Sequence, residues 1–197
     1  MNRLVLASGN PDKLAELRTL LKDLDLQVLP AGELVPGWSV EETGSTLEEN
    51  AYLKARDIVR ATGLPAVADD TGLFVDILGG APGIYAARFA GSDCTYENNV
   101  RKLLTTMLCE RNRRASFRTI AVFSSSDIEF SVTGEVRGMI LEQPDGHSGF
   151  GYDPVFQPDG LQHSFARCSP EEKNLISHRA LAMRNMREGL LASRIIS

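Results

Sequence analysis

Leu4-Val5-Leu6-Ala7 is a short unbroken apolar run, the pattern of a fully buried strand, and it stops at Ser8-Gly9-Asn10. A helix is expected next, with Asn10 as N-cap, Pro11 in the first turn, and Leu14, Leu17 and Leu21 on one face. Leu26–Leu29 reads as a second strand. Thr46-Leu47-Glu48-Glu49 has capping-box spacing and opens a helix to Thr62, with Ala51, Ala55, Ile58 and Val59 as its apolar face. Lys54, near its middle, is expected to be solvated. Pro65 then introduces Ala66-Val67-Ala68, a small apolar strand that ends in Asp69 and Asp70, with a turn expected at Gly72. Phe74–Ile77 either pairs with this strand or continues it beyond a bend, and Gly79–Gly83 forms a glycine-proline loop. Thr95 caps a helix reaching Leu108. Ala115–Ser124 and Ile128–Val136 alternate as an antiparallel hairpin, preceded by Arg111, Arg113 and Arg114 at a solvated edge. Ser169-Pro170-Glu171-Glu172 starts a last helical region that continues, or restarts, through Leu190.

The 197 residues, without repeats or linker-like tracts, fit a single domain over 1–197, or two lobes sharing one sheet. Lys and Arg number 21 against 26 Asp and Glu, so the net charge of −5 disfavours nucleic acid and acidic membranes as partners. Any phosphate must therefore be gripped locally. Cys94, Cys109 and Cys168 are widely spaced with no histidine at ligand spacing, which excludes a zinc motif and suggests a reducing compartment. The apolar run after Met1 is too short for a signal-peptide core, and no stretch has membrane-span length. A cytoplasmic protein is expected.

Four features suggest chemistry. The strand, Gly9 turn and helix start at Ser8–Lys13 would point backbone N–H groups at an anion, with Lys13 one turn in, although the pattern is not a Walker A loop. Asp69 and Asp70 are either turn residues or a strand-end carboxylate pair, of which alternation need send only one into a cleft. Phe150 in the glycine-flanked run Gly149–Pro154 is either core or a stacking surface for a base, with Asp153 nearby as an acceptor. Lys173, His178 and Arg179 add donors, of which a lone histidine is ordinarily a satisfied surface or core residue and an arginine on a terminal helix is ordinarily solvated.

Taken together, Ser8-Gly9-Asn10-x-x-Lys13, Glu41–Gly44 with Glu49-Asn50-Ala51, Ala68–Leu73, Gly79–Gly83, Phe150–Pro154 and Ser177-His178-Arg179 closely resemble the inosine triphosphate pyrophosphatase (Ham1-like) family. The resemblance runs from about Leu4 to the last helix. It implies an α/β fold with a long mixed sheet flanked by helices, two lobes with the active-site cleft between them, and a homodimer. The implied reaction is magnesium-dependent hydrolysis of ITP, dITP or XTP to the monophosphate and pyrophosphate.

Carried over by position, Ser8, Gly9, Asn10 and Lys13 would hold phosphates, Lys54 would join Lys13, and Glu42 and Asp70 would hold Mg²⁺. Asp70 would also orient or deprotonate the attacking water. Phe150, Gly151, Tyr152, Asp153, Lys173, His178 and Arg179 would form the base pocket, with Thr71 nearby. Donors from His178 or Arg179 to a purine O6 would leave adenine facing unpaired groups, at about 1–3 kcal/mol each. His147-Ser148-Gly149 stands where family members commonly carry a glycine pair, which would stiffen this loop. The alternatives are a pyrophosphatase for modified pyrimidine nucleotides and a non-catalytic nucleotide sensor.

Overall fold

In the computed structural model, which describes residues 3–91 and 94–193 apart from the side chain of Asp12, β1 (Arg3–Leu6) lies between two parallel neighbours. One is β2 (Gln27–Pro30), reached through α1 (Pro11–Leu20); the other is β3 (Ala66–Val75), reached through α2 (Ala31–Leu34) and α3 (Leu47–Thr62). β4 (Pro82–Gly83), α4 (Tyr96–Thr106), β5 (Arg114–Ser124), β6 (Glu129–Ile140) and β7 (Phe156–Pro158) follow, and then α5 (Pro170–Ile176) and α6 (His178–Ala192). The described strands form one mixed seven-stranded sheet in the order β2-β1-β3-β5-β6-β7, with β4 added antiparallel to β3. This is the mixed α/β fold expected. Among the described residues no helix is long and apolar enough to cross a membrane.

By its internal contacts the chain forms two compact units, one of Met1–Asp70, Thr119–Gly134 and Arg179–Ser197, the other of Thr71–Arg118 and Glu135–His178. In the first, side-chain alternation sorts the strands onto two cores. Leu4, Leu6 and Val67 pack with Leu17 of α1 and Ala182, Met183 and Met186 of α6. Val5, Ala66 and Ala68 pack on the opposite face with Ala51, Ala55 and Ile58 of α3. The register that pairs Leu6 with Val67 brings the turn after β1 beside the C-terminal part of β3. Asp69 then falls on the α1–α6 side and Asp70 on the α3 side. In the second unit Leu73, Val75, Phe117, Tyr152, Phe156 and Phe165 belong to a separate core.

Several local expectations change. β3 does not turn at Gly72 but runs through to Val75, because the Gly79–Gly83 loop lays its backbone against the strand, and a Cβ on Gly72 would sit 2.7 Å from the Gly83 carbonyl oxygen. Glycine serves close approach here rather than a bend. The capping box at Thr46 is half made: Thr46 accepts from the Glu49 N–H, but the Glu49 carboxylate takes the N–H and hydroxyl of Ser45. Ser169 and Glu172 complete theirs. Arg113 is no edge residue, since its guanidinium donates to the carbonyls of Met107, Ile140 and Leu141. The last helical region restarts at Ser177, which separates α5 from α6.

Candidate active site

In the first unit the two adjacent carboxylates within β3 meet different partners. Asp69 is buried, and both its oxygens accept from the Lys13 ammonium at 2.8 and 2.9 Å, while the Arg179 guanidinium lies 3.6 Å away. Burial opposes ionisation of Asp69, but the charges of Lys13, Arg179 and Lys54 outweigh it and hold the carboxyl at about 2. Arg179 also pairs with Glu16 at 3.7 Å. Lys13 and Arg179, placed in the phosphate and base regions by the resemblance, thus share one carboxylate.

Asp70 faces α3. Its two oxygens meet Asn50 Nδ2 at 3.3 Å and Lys54 Nζ at 3.4 Å, side chains one helical turn apart. The same Lys54 nitrogen bonds Glu42 at 3.0 Å, so the lysine expected in solvent is a half-buried cation joining two carboxylates. It is Glu42 of the Glu41-Glu42 pair that turns to this lysine, while Glu41 is exposed. Burial pushes the Asp70 carboxyl up; Lys54 opposes this, and the charges of Glu42 and Asp69 reinforce it. For Lys54 burial disfavours the charge, yet Asp70, Asp69 and Glu42 raise its pKa on balance.

At the turn after β1, Ser8 Oγ accepts from Asn10 N–H at 3.1 Å, and Asn10 Oδ1 accepts from Lys13 N–H at 3.4 Å, capping α1. Gly9 is exposed, its backbone is outside the left-handed region, and a Cβ there would meet nothing within 4 Å.

In the second unit Asp153 organises the glycine-rich loop. One buried carboxylate oxygen accepts from Phe150 N–H at 2.8 Å and from Lys173 Nζ at 2.5 Å. The ammonium of Lys173 lies 4.7 Å from the centre of the half-buried Phe150 ring, within cation–π range. Gly149, at φ +79°, leaves no room for a Cβ against Asp153. The loop thus keeps a glycine where its backbone requires one, next to Ser148. Gly151 also has positive φ, at 61°. Tyr152 instead belongs to the core: its hydroxyl donates to the Ala86 carbonyl at 2.9 Å, and burial raises its pKa. His178 is buried with its ring stacked on Phe117 at 4.5 Å, and Thr71 is half-buried just beyond Asp70.

Asn50 and Glu16 had no expected role, and Asp69 none beyond the carboxylate pair, yet all three contact expected site residues. The Asn50 signal was present as an amide one turn before Lys54 on the apolar side of a helix. Among the described residues no group of three or more His, Cys, Asp or Glu is gathered for a metal, so any metal here would rest on few protein oxygens.

Fold and site together define an α/β protein with a lysine-bridged carboxylate centre beside a parallel strand pair. The chain belongs to the Ham1 family, whose model matches residues 4–189. It is 45% identical to a dITP/XTP pyrophosphatase of Yersinia pseudotuberculosis, covering 96% of this chain and 98% of that one. It is 47% identical to a dITP/XTP pyrophosphatase of Streptomyces avermitilis, with 94% and 96% covered. Among solved structures, the Staphylococcus aureus Ham1 protein superposes with a TM-score of 0.92 at 38% identity, covering 98% of this chain and all of that one.

Proposed function

We propose that this chain is a nucleoside triphosphate pyrophosphatase hydrolysing dITP, ITP and XTP to the monophosphate and pyrophosphate. The observation that carries this reading is Lys54 held between Glu42 and Asp70, a cation already bound by two partly exposed carboxylates. Relatives named dITP/XTP pyrophosphatase along nearly their whole length support the substrate class. Because the family model spans both compact units, residues 1–197 are taken to work as one functional domain.

Two hard oxygen donors around a cation fit Mg²⁺, which binds through one or two carboxylates and completes its shell with water and phosphate oxygens. When bound, Mg²⁺ neutralises charge developing on the phosphates. Glu42 and Asp70 would hold it.

Asp70 orients the attacking water and accepts its proton as the water oxygen bonds to the α-phosphorus. The bond to the α–β bridging oxygen breaks, and pyrophosphate leaves with that bonding pair. Lys13 has one ammonium hydrogen left after its two bonds to Asp69, and with Ser8, Gly9, Asn10 and Lys54 it receives phosphate oxygens. Phe150, Gly151, Tyr152 and Asp153 with Thr71, Lys173 and His178 take the purine, Phe150 by stacking and Tyr152 through its backbone. Arg179 serves from its place at Asp69. The enzyme acts in the cytoplasm, where nucleotide pools are, and as a homodimer.

The test is turnover of dITP, XTP, dATP, dGTP and dTTP with Mg²⁺, assaying pyrophosphate and orthophosphate separately. Pyrophosphate from dITP and XTP alone is expected. Orthophosphate alone would move cleavage to the terminal phosphate, and no turnover would leave a nucleotide sensor. Asp70→Asn is expected to keep the fold and lose about a hundred- to ten-thousandfold in turnover.

A further inference from the structure

We propose that Asn50 is a positioning residue that fixes Asp70 and the Glu42 turn relative to one another, a role that rests on the reading of both carboxylates above. Asn50 is fully buried, and both ends of its amide are used. Gly44 N–H, which can only donate, points at Asn50 Oδ1 at 2.8 Å. The amide orientation is thereby set, and its NH₂ is left for Asp70 Oδ2 at 3.3 Å. One side chain thus ties the segment carrying Glu42 to the strand carrying Asp70.

The surroundings leave little slack. A Cβ on Gly44 would lie 2.6 Å from Asn50 Oδ1 and 2.8 Å from Glu49 Cβ, so the turn sits directly on the first turn of α3. The Glu49 carboxylate fastens the next residue, Ser45, at 2.6 and 2.7 Å. Lys54, one turn on, then reaches Glu42 and Asp70 from the same helix. A lysine ammonium on its flexible stem can follow either carboxylate. The Asn50 amide, planar and bonded at both ends, cannot, so it sets the spacing.

The test uses Asn50→Ala and Gly44→Ala in the full chain, each checked for folding by circular dichroism melting. The probe is Mn²⁺, titrated by electron paramagnetic resonance in the presence of α,β-methylene-ITP, which is not cleaved; turnover of dITP is measured alongside. Asn50→Ala is expected to raise the half-saturating Mn²⁺ concentration about tenfold and lower kcat about ten- to hundredfold, with KM for dITP little changed. Gly44→Ala, which displaces the amide from the other side, is expected to move both in the same direction. A folded Asn50→Ala protein with wild-type Mn²⁺ titration and kcat would overturn the proposal, even with a lower melting temperature. If Asn50→Ala does not fold, Gly44→Ala decides on the same two readouts. Wild-type turnover in Asp70→Asn would instead remove the underlying reading of the site.

Discussion

Burial alone would raise the pKa of both Asp69 and Asp70, and the charges around them separate the two. Asp69, held at about 2 by Lys13, Arg179 and Lys54, contributes stability that is present above the ordinary carboxyl value of 3.8 and is lost as pH falls toward 2. The advantage of wild type over Asp69→Asn in urea should therefore shrink by about 2 kcal/mol between about pH 5 and pH 2. A constant gap would show that Asp69 acts by shape rather than charge. Gly9 has a different relation to the fold. Gly9→Ala should leave the melting temperature unchanged and raise KM for dITP several-fold, because the methyl group enters space that an anion needs. An unchanged KM would remove the turn at Ser8–Asn10 from the phosphate site.

At the scale of elements, glycines in strands were the hardest signal to read. Gly72 looked like a turn because Asp-Asp-Thr-Gly has turn composition, and nothing local announces a carbonyl arriving from Gly83. Gly72→Ala should destabilise the protein by about 1–3 kcal/mol through that contact, read as a lower urea midpoint. A tolerated alanine would mean that the Gly79–Gly83 loop can move away. Strand β1, the start of β3 and helices α1 and α3 were legible because apolar runs, caps and helical periodicity are local. Lys54 was read as solvated, and Arg113 as an edge residue, because their partners lie in distant segments of the chain. The same limit hid Asn50: an amide among apolar helix positions signals a buried bond but does not name its recipient. Asp70 and Lys13 are singled out by motif order, which carries distant information that periodicity lacks.

For the molecule as a whole, the net charge of −5 makes the clustering of Lys13, Lys54 and Arg179 around Asp69 a local exception to an acidic protein. In the second unit Tyr85, Tyr96, Leu108 and Leu175 are exposed. Light scattering on the eluting protein should give about twice the 21.5 kDa chain mass, and a monomer at micromolar concentration would refute the homodimer. Gly9 also bears on how this chain records its history. Open surroundings and an ordinary backbone make changes at this position nearly silent in a library sorted for abundance. A library sorted for nucleotide cleavage would deplete the same changes. Subtracting one map from the other would draw the footprint of the ligand on the protein without a bound complex, and Gly9 would mark its edge.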